Sequence, residues 1–457
     1  AVLLVAFLLI RIYRRKKAPR EGESRYDTFT FDYERPARSA ISELAPKNPF
    51  YAGGRKVRVD QVDLSVSDVE TWRFCNNCGC HGQVVQMPAA GACPQCGSPL
   101  WSDAGQKRRM IRMRQVFAAT SDRDSRISDD SDDREPSFYN KQMLIWYRPT
   151  DIADAFRIDG DDPPFGLEFL KQVCLREINF GEKTDIGEHL TIAGVESARK
   201  GFVICKHCGK VQNHRKEIQH SLWCRARKKA SDENLTECVY LYREFTSEAI
   251  LMLPPVTNFG GTDRQIHSFL AALHLGLKRF FRGNIDHLQT SVHETPVPNS
   301  TYRKKHLVLY DTVPGGTGYL KQLMRSEKPL IQVLEAALDV LKTCPCNLDA
   351  GKDGCYKCLF AYRHGYNMAG TSREAARKML SEILRHKDKM VRTHSLDDVK
   401  INPLFDSELE ARFIEALRRV RIDDTPAKLT REVVNGKPGY FYKIGDRAYY
   451  IELQVKL

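Results

Sequence analysis

The sequence predicts an α+β, multidomain chain in which a zinc ribbon and mixed β pieces are followed by a helix-rich zinc-binding module. Three observations carry that prediction. Eleven of the fourteen cysteines fall into three clusters with zinc-ligand spacing. Short stretches of alternating apolar residues recur before Thr262, the pattern of half-buried strands. Long apolar stretches of helical period begin only there.

At 457 residues the chain has material for three or four domains. Its 42% of hydrophobic residues can build real cores, which excludes a disordered protein. The net charge of +13 points to a polyanionic partner, with nucleic acid ahead of an anionic membrane surface. Cysteines grouped in Cys-x-x-Cys knuckles within a long chain indicate metal binding rather than disulfides. They place the protein in a reducing compartment, the cytoplasm.

Residues 1–70 read as the tail of an upstream domain. The apolar run Ala1–Ile10, followed by the basic stretch Arg11–Arg20, is expected as a buried helix or strand. A clipped membrane helix is the competing reading, but so short a run falls well below the roughly 20 residues that span a bilayer. Alternation over Lys56–Leu64 follows a Gly53-Gly54 turn. Residues 71–118 form the zinc ribbon. Thr120–Ser137, rich in Ser, Asp and Arg, is expected as a solvated acidic linker spanning 119–138. Residues 139–235 are β-rich, with a strand at Met143–Tyr147 and a second zinc knuckle.

The helix-rich module, 236–395, opens with Val239–Phe245 and Ala249–Leu253, expected as two strands joined by a turn. Thr262 and Gln265 make a capping box. Ile266, Phe269, Leu270, Leu273, Leu277 and Phe280 mark the apolar face of the helix behind it. Leu307–Tyr310 is a buried strand, and Leu330–Leu341 and Ser372–His386 are further helices. Residues 396–457 open another domain that stops within the strand Tyr449–Leu457. Both ends read as cut, so a longer polypeptide is expected.

Zn²⁺ takes four ligands in a tetrahedron and favours thiolates, and a Cys-x-x-Cys turn supplies two of them. Cys75, Cys78, Cys93 and Cys96 therefore form a zinc ribbon, with fourteen residues between the knuckles. Gly79 and Gly97 follow each knuckle, where positive φ lets backbone N–H groups face the sulfurs. Cys80 and His81 are spectators. Cys205 and Cys208, trailed by Gly209, pair with His220 and Cys224, one helical turn apart. His214 competes with His220, and Cys238 with Cys224. Cys344, Cys346, Cys355 and Cys358 complete a third set, for which an iron–sulfur cluster is the alternative to zinc. A catalytic zinc usually keeps an open position and His-rich ligands, so up to three structural Zn²⁺ sites are expected. Cys174 and Cys238 are expected as buried apolar residues.

The glycine-rich Asp311–Gly318 is either a phosphate cradle or a tight turn with close backbone packing. No Gly-Lys-Ser/Thr follows it. No Walker pair, His-Glu-x-x-His or nucleophile elbow occurs, so no catalytic residue is assigned.

Asp311-Thr-Val-Pro-Gly-Gly-Thr-Gly318, Cys344-Pro-Cys346 and Gly354-Cys-Tyr-Lys-Cys-Leu359 resemble the C-terminal zinc-binding module of the MrfA-type superfamily-two DEAD/DEAH DNA helicases. Druantia and DISARM phage-defence proteins carry similar modules. The resemblance covers 236–390 and extends more loosely over 38–235, including Leu44–Tyr51. It implies that Cys344, Cys346, Cys355 and Cys358 hold a structural metal, and that the module packs on a helicase motor and helps hold DNA. ATP and Mg²⁺ would bind only in domains outside this chain. Asn402–Phe413 and Ile451–Leu457 resemble the opening helix and strand of a PD-(D/E)XK nuclease-like domain. Glu410 stands at that family's first-helix acid, with a solvated helix face as the equal alternative.

The resulting expectation is the DNA-binding C-terminal region of an ATP-dependent helicase or translocase in phage defence or DNA repair. Other subunits of a defence complex are expected partners, and a membrane is not. A motor-free scaffold that partners a separate helicase, as DrmB does, and a DNA nuclease subunit are the alternatives. The candidate phosphate contacts are Arg108, Arg109, Arg112 and Arg114, then Arg225, Arg227, Lys228 and Lys229, then Lys278, Arg279 and Arg282. Ordinary solvated faces are the competing reading of each run.

Overall fold

A computed structural model of the chain describes residues 5–17, 20–87, 91–127, 137–159, 163–185, 189–212, 218–228, 231–255, 262–283, 285–296, 303–349, 351–361, 370–396, 399, 421–422, 425–426, 428–434, 437–444 and 447–451. The fold is α+β, as the patterning predicts. Two compact units divide it, one of Ala1–Trp146 with Cys174–Phe245, the other of Tyr147–Val173 with Thr246–Leu457. Two long strands, Gly166–Glu182 and Leu235–Leu253, are each split between the units.

In the first unit the basic-flanked apolar run is a strand, Val5–Arg15, which buries Ala6, Leu8, Ile10 and Ile12 on one face. It pairs antiparallel with Tyr26–Pro36 and parallel with Gln115–Ser121. Helix α1, Ala37–Glu43, adds Ala40 and Ile41 to the same core. Among the described residues no helix is long and apolar enough to cross a membrane. The hairpin of Pro49–Ala52 and Arg55–Arg58 turns at Gly53 and Gly54, whose φ values of 57° and 71° suit a two-residue loop that only glycine-like residues tolerate.

A second sheet in this unit carries the first cysteine cluster. Val69–Phe74 pairs with His81–Gln83 and with Lys107–Arg112, and the latter runs parallel to residues 239–242. Phe202–Cys205 lies antiparallel to the start of Leu235–Leu253, with a bulge in the pairing. Cys238 adopts φ 52° there and is exposed, which corrects its expected burial. Cys174 is half-buried.

The run Thr120–Ser137 does not start as a solvated linker. Gln115–Ser121 is a strand, and α2, Asp122–Ser125, follows under a Ser121 cap that accepts from the Asp124 N–H. Ser125 is fully buried, and Asp122 takes ion pairs from Arg55 and Arg126, both at 2.8 Å. Charge pairing and capping order a stretch that lacks apolar residues. Residues 128–136 lie outside the described residues.

In the second unit, helices α3 (Thr262–Phe281), α5 (Glu327–Thr343) and α6 (Arg373–Arg385) pack pairwise, with the short α4, Tyr319–Leu323, beside α5. Ile266, Phe269, Leu270, Leu273 and Leu277 are buried and Phe280 is half-buried. The Thr262 side chain of the expected capping box lies outside the described residues. Ser372 caps α6 by accepting from the Ala375 N–H at 3.3 Å. Residues 249–252 pair with Leu307–Tyr310, and Leu288–Pro296 pairs along the whole of Arg303–Asp311.

No turn separates Val239–Phe245 from Ala249–Leu253, a correction to the expected hairpin. The intervening Thr-Ser-Glu contains no Gly, Pro, Asn or Asp to reverse the chain, and the strand continues through it. Asn402–Phe413, Glu410 and residues 452–457, which carry the nuclease-like resemblance, lie outside the described residues.

Candidate metal centres

Each cysteine cluster begins where an element ends. Cys75 follows Val69–Phe74, Cys205 closes Phe202–Cys205, and Cys344 is the C-cap of α5. The chain then turns sharply enough to bring ligand atoms together. Three groups result, Cys75, Cys78, Cys93 and Cys96; Cys205, Cys208, His220 and Cys224; and Cys344, Cys346, Cys355 and Cys358. Within each group the ligand atoms all lie within 4.8 Å of one another.

The spacing fits zinc. Zn–S bonds of about 2.3 Å in a tetrahedron place sulfurs about 3.8 Å apart, against about 2.05 Å for a disulfide. Sγ–Sγ distances are 3.6 Å for Cys75–Cys96 and for Cys78–Cys93, and 3.9 Å for Cys205–Cys224. In the third group they run from 3.5 Å for Cys344–Cys355 to 3.7 Å for Cys346–Cys358. A mixed N–S edge is shorter, about 3.6 Å for a Zn–N bond near 2.05 Å. His220 Nδ1 sits 3.6 Å from Cys224 Sγ. The chain thus has three zinc sites, two with four cysteines and one with three cysteines and a histidine.

Backbone N–H groups support the sulfurs. Asn77 and Cys78 N–H donate to Cys75 Sγ, both at 3.4 Å, and His207 N–H does the same for Cys205 at 3.4 Å. Gly97 and Gly209 take φ of 72° and 69°, as expected after a knuckle, whereas Gly79 stays out of the left-handed region. The Cys80 N–H still reaches Cys78 Sγ at 3.4 Å, so Gly79 does not need the unusual conformation. Gly209 is the most constrained, because a Cβ there would collide with the Val62 carbonyl oxygen.

Cys80 is buried beside the first tetrad but outside it. His81 Nδ1 contacts the Gly79 carbonyl at 2.6 Å while its ring stacks on Phe74. His220 and Cys224 are joined by a tight turn rather than a helix, the Cys224 N–H donating to the Ser221 carbonyl at 2.9 Å. His214 lies outside the described residues. In the third tetrad the Arg373 guanidinium donates to Cys346 Sγ at 3.1 Å, a support that sequence spacing does not reveal. Burial pushes the Cys205 thiol up to about 11. Burial also works to raise Cys355, but the Lys357 N–H and the neighbouring thiols bring it down to about 7, whereas burial pushes Cys358 of the same tetrad up to about 12.

The glycine-rich loop resolves as a tight turn. Buried Asp311 accepts from the Val313 and Thr317 N–H groups, both at 2.8 Å, and Glu248 Oε1 accepts from Gly318 N–H at 3.0 Å. These carboxylates occupy donors that a phosphate would need.

The basic runs differ in their freedom. Arg108 is half-buried and donates to the Gly105 carbonyl, and Arg112 lies 3.7 Å from Glu244. Arg109 and Arg114 are exposed, as are Arg225, Arg227 and Lys228, while Lys229 lies outside the described residues. Lys278, Arg279 and Arg282, at the end of α3, line a cleft of 820 Å³ floored by Leu275 and Val340. Lys357, between two ligands of the third tetrad, is its fourth cation, far in sequence from the other three. Among the described residues none of these four enters an ion pair.

Residues 269–359 match the family model for the MrfA Zn-binding domain. The match takes in all four ligands of the third tetrad. Two solved structures are similar to the chain. One is the DUF1998 helicase MrfA bound to DNA, at 10% identity over 82% of this chain and 34% of that one, with a TM-score of 0.38. The other is the DUF1998 helicase MrfA bound to DNA and AMPPNP, at 10% identity over 81% of this chain and 31% of that one, with a TM-score of 0.31. The chain spans about a third of the length of these helicases. No curated protein matches it.

Proposed function

We propose that this chain is the zinc-stabilised, DNA-binding C-terminal region of an ATP-dependent DNA helicase or translocase. It would act in the cytoplasm, in a phage-defence or DNA-repair system, alongside other subunits. The twelve tetrad residues are structural zinc ligands in this reading, and none is catalytic. The match to the MrfA Zn-binding domain supports the assignment. The observation that carries it is the cleft of Lys278, Arg279, Arg282 and Lys357. Four cations held close together without carboxylate partners repel one another, and a phosphate backbone relieves that repulsion. Leu275 and Val340 line the same cleft and offer apolar surface to the sugars of a strand held by these cations.

Each phosphate neutralised releases counterions, so affinity falls with salt by about 0.9 log per log for every contact. The test is DNA binding across a salt series with the four residues reversed to Glu. We expect at least about a tenfold loss of affinity and a shallower salt slope, with zinc content unchanged. Equal affinity and equal slope in the parent and the reversed protein would refute the proposal.

A further inference from the structure

The turn joining the last two ligands of the second tetrad presents an aromatic residue where turn chemistry does not call for one. The Cys224 N–H closes on the Ser221 carbonyl, placing Leu222 and Trp223 at the two corners. Corners favour Gly, Asn, Asp or Ser. Here Leu222 is 82% and Trp223 69% exposed. Of the four tryptophans, Trp72 and Trp101 are buried at 4% and 2% and Trp146 is 39% exposed, so Trp223 is the most exposed indole of the chain.

The turn is anchored on both sides. His220 and Cys224 are ligands of one metal. Ser221 Oγ donates to Gln61 Oε1 at 3.0 Å, and Gln61 Nε2 reaches the Cys208 carbonyl at 2.8 Å. Gln219 and Gln212 exchange two hydrogen bonds, at 2.8 and 2.9 Å. The backbone that carries Trp223 is thus held in place by groups other than the indole, which is left to solvent. The 3-10 helix Arg225–Lys228 follows directly, with Arg225, Arg227 and Lys228 exposed. Arg225 is partly committed to His207 Nδ1, at 3.1 Å from its Nη2. Arg227 and Lys228 are the available cations.

We propose that Trp223 is a stacking platform for a base of single-stranded nucleic acid, with Arg227 and Lys228 holding the adjoining phosphates. This rests on the nucleic-acid reading above but concerns a different place in the fold. Base faces are covered within a duplex, whereas an unpaired base offers its face to an indole at a turn tip without any unstacking cost. The neighbouring cations suit a polyanion, and tryptophan offers a large, rigid stacking surface.

The experiment uses the full chain with labelled oligo(dT) and a blunt duplex of equal length. Trp223→Ala should weaken oligo(dT) binding about tenfold and leave duplex binding nearly unchanged. Trp223→Phe should keep most of the affinity, and metal analysis should give the same zinc content for all three proteins. Oligo(dT) should quench tryptophan emission in the parent protein and much less in Trp223→Ala. Unchanged oligo(dT) affinity in Trp223→Ala, or an equal loss for both DNA forms, overturns the proposal, as does a Phe variant as weak as Ala. If reversing Lys278, Arg279, Arg282 and Lys357 weakens binding while Trp223→Ala is silent, only this inference fails. If neither change matters, the nucleic-acid reading fails as well.

Discussion

Gly209 shows how closely the second zinc site depends on single residues. Its carbonyl accepts from the Val62 N–H at 2.9 Å, its N–H donates to the Cys205 carbonyl at 2.9 Å, and its φ is 69°. A side chain there meets both backbone strain and the Val62 carbonyl. Gly209→Ala should cost about 1–3 kcal/mol and speed zinc transfer to a colorimetric chelator. Gly370→Ala, which meets open space, should stay within about 0.5 kcal/mol of the parent when all three proteins are compared by thermal melts. At this scale the ligands were legible because a tetrahedral ion dictates thiol spacing, and all twelve expected ligand residues meet in three groups of four, two of them all sulfur and one with an imidazole. The supporting details were not. Whether Gly79 takes positive φ, or Cys238 turns outward, depends on hydrogen bonds and a bulge that only the assembled sheet sets.

Among the elements, the hairpin of Leu288–Pro296 and Arg303–Asp311 places His293 directly opposite His306, both fully buried in a cationic setting. Burial lowers His293 to about 4, helped by Arg303, and lowers His306 to about 3, helped by His293 and Lys304. Both therefore prefer to be neutral in the folded protein, while in the unfolded chain they protonate near 6.5. The unfolded state binds more protons below that pH, so stability is full above about 6.5 and declines as pH falls toward about 4. Replacing both with Leu should flatten this part of the pH–stability curve, measured by thermal melts between pH 7 and 4. A curve as steep as the parent's would contradict the account. The helix faces were readable from their 3.6-residue period, because burial along α5 and α6 is one-sided; α3 is buried on all sides from Ser268 to His274, where its apolar period marks only part of the buried surface. The continuous strand Leu235–Leu253 was not, since burial on both faces erases the alternation that marks a strand and its ends. The ordering of Ser121–Ser125 is also invisible in the hydrophobic pattern, because polar capping and ion pairs leave no apolar signature.

For the whole molecule, charge and metal are two separate claims, and each has its own perturbation. The excess of positive charge was visible in composition, but not which cations stand unpaired. Lys357 joins the α3 cations only because the third tetrad folds its knuckle toward them, a tertiary fact with no trace in local spacing. Chelation should therefore act on binding through structure. Stripping zinc should abolish DNA affinity together with folding of the zinc-bound regions, whereas high salt should weaken binding and leave the fold intact, as followed by circular dichroism. The direct test of the central claim is elemental analysis of natively purified protein. The tetrads predict three zinc ions per chain, with one lost in Cys358→Ala. Protein that is folded yet carries no zinc, or whose zinc content is unchanged by that substitution, would contradict it.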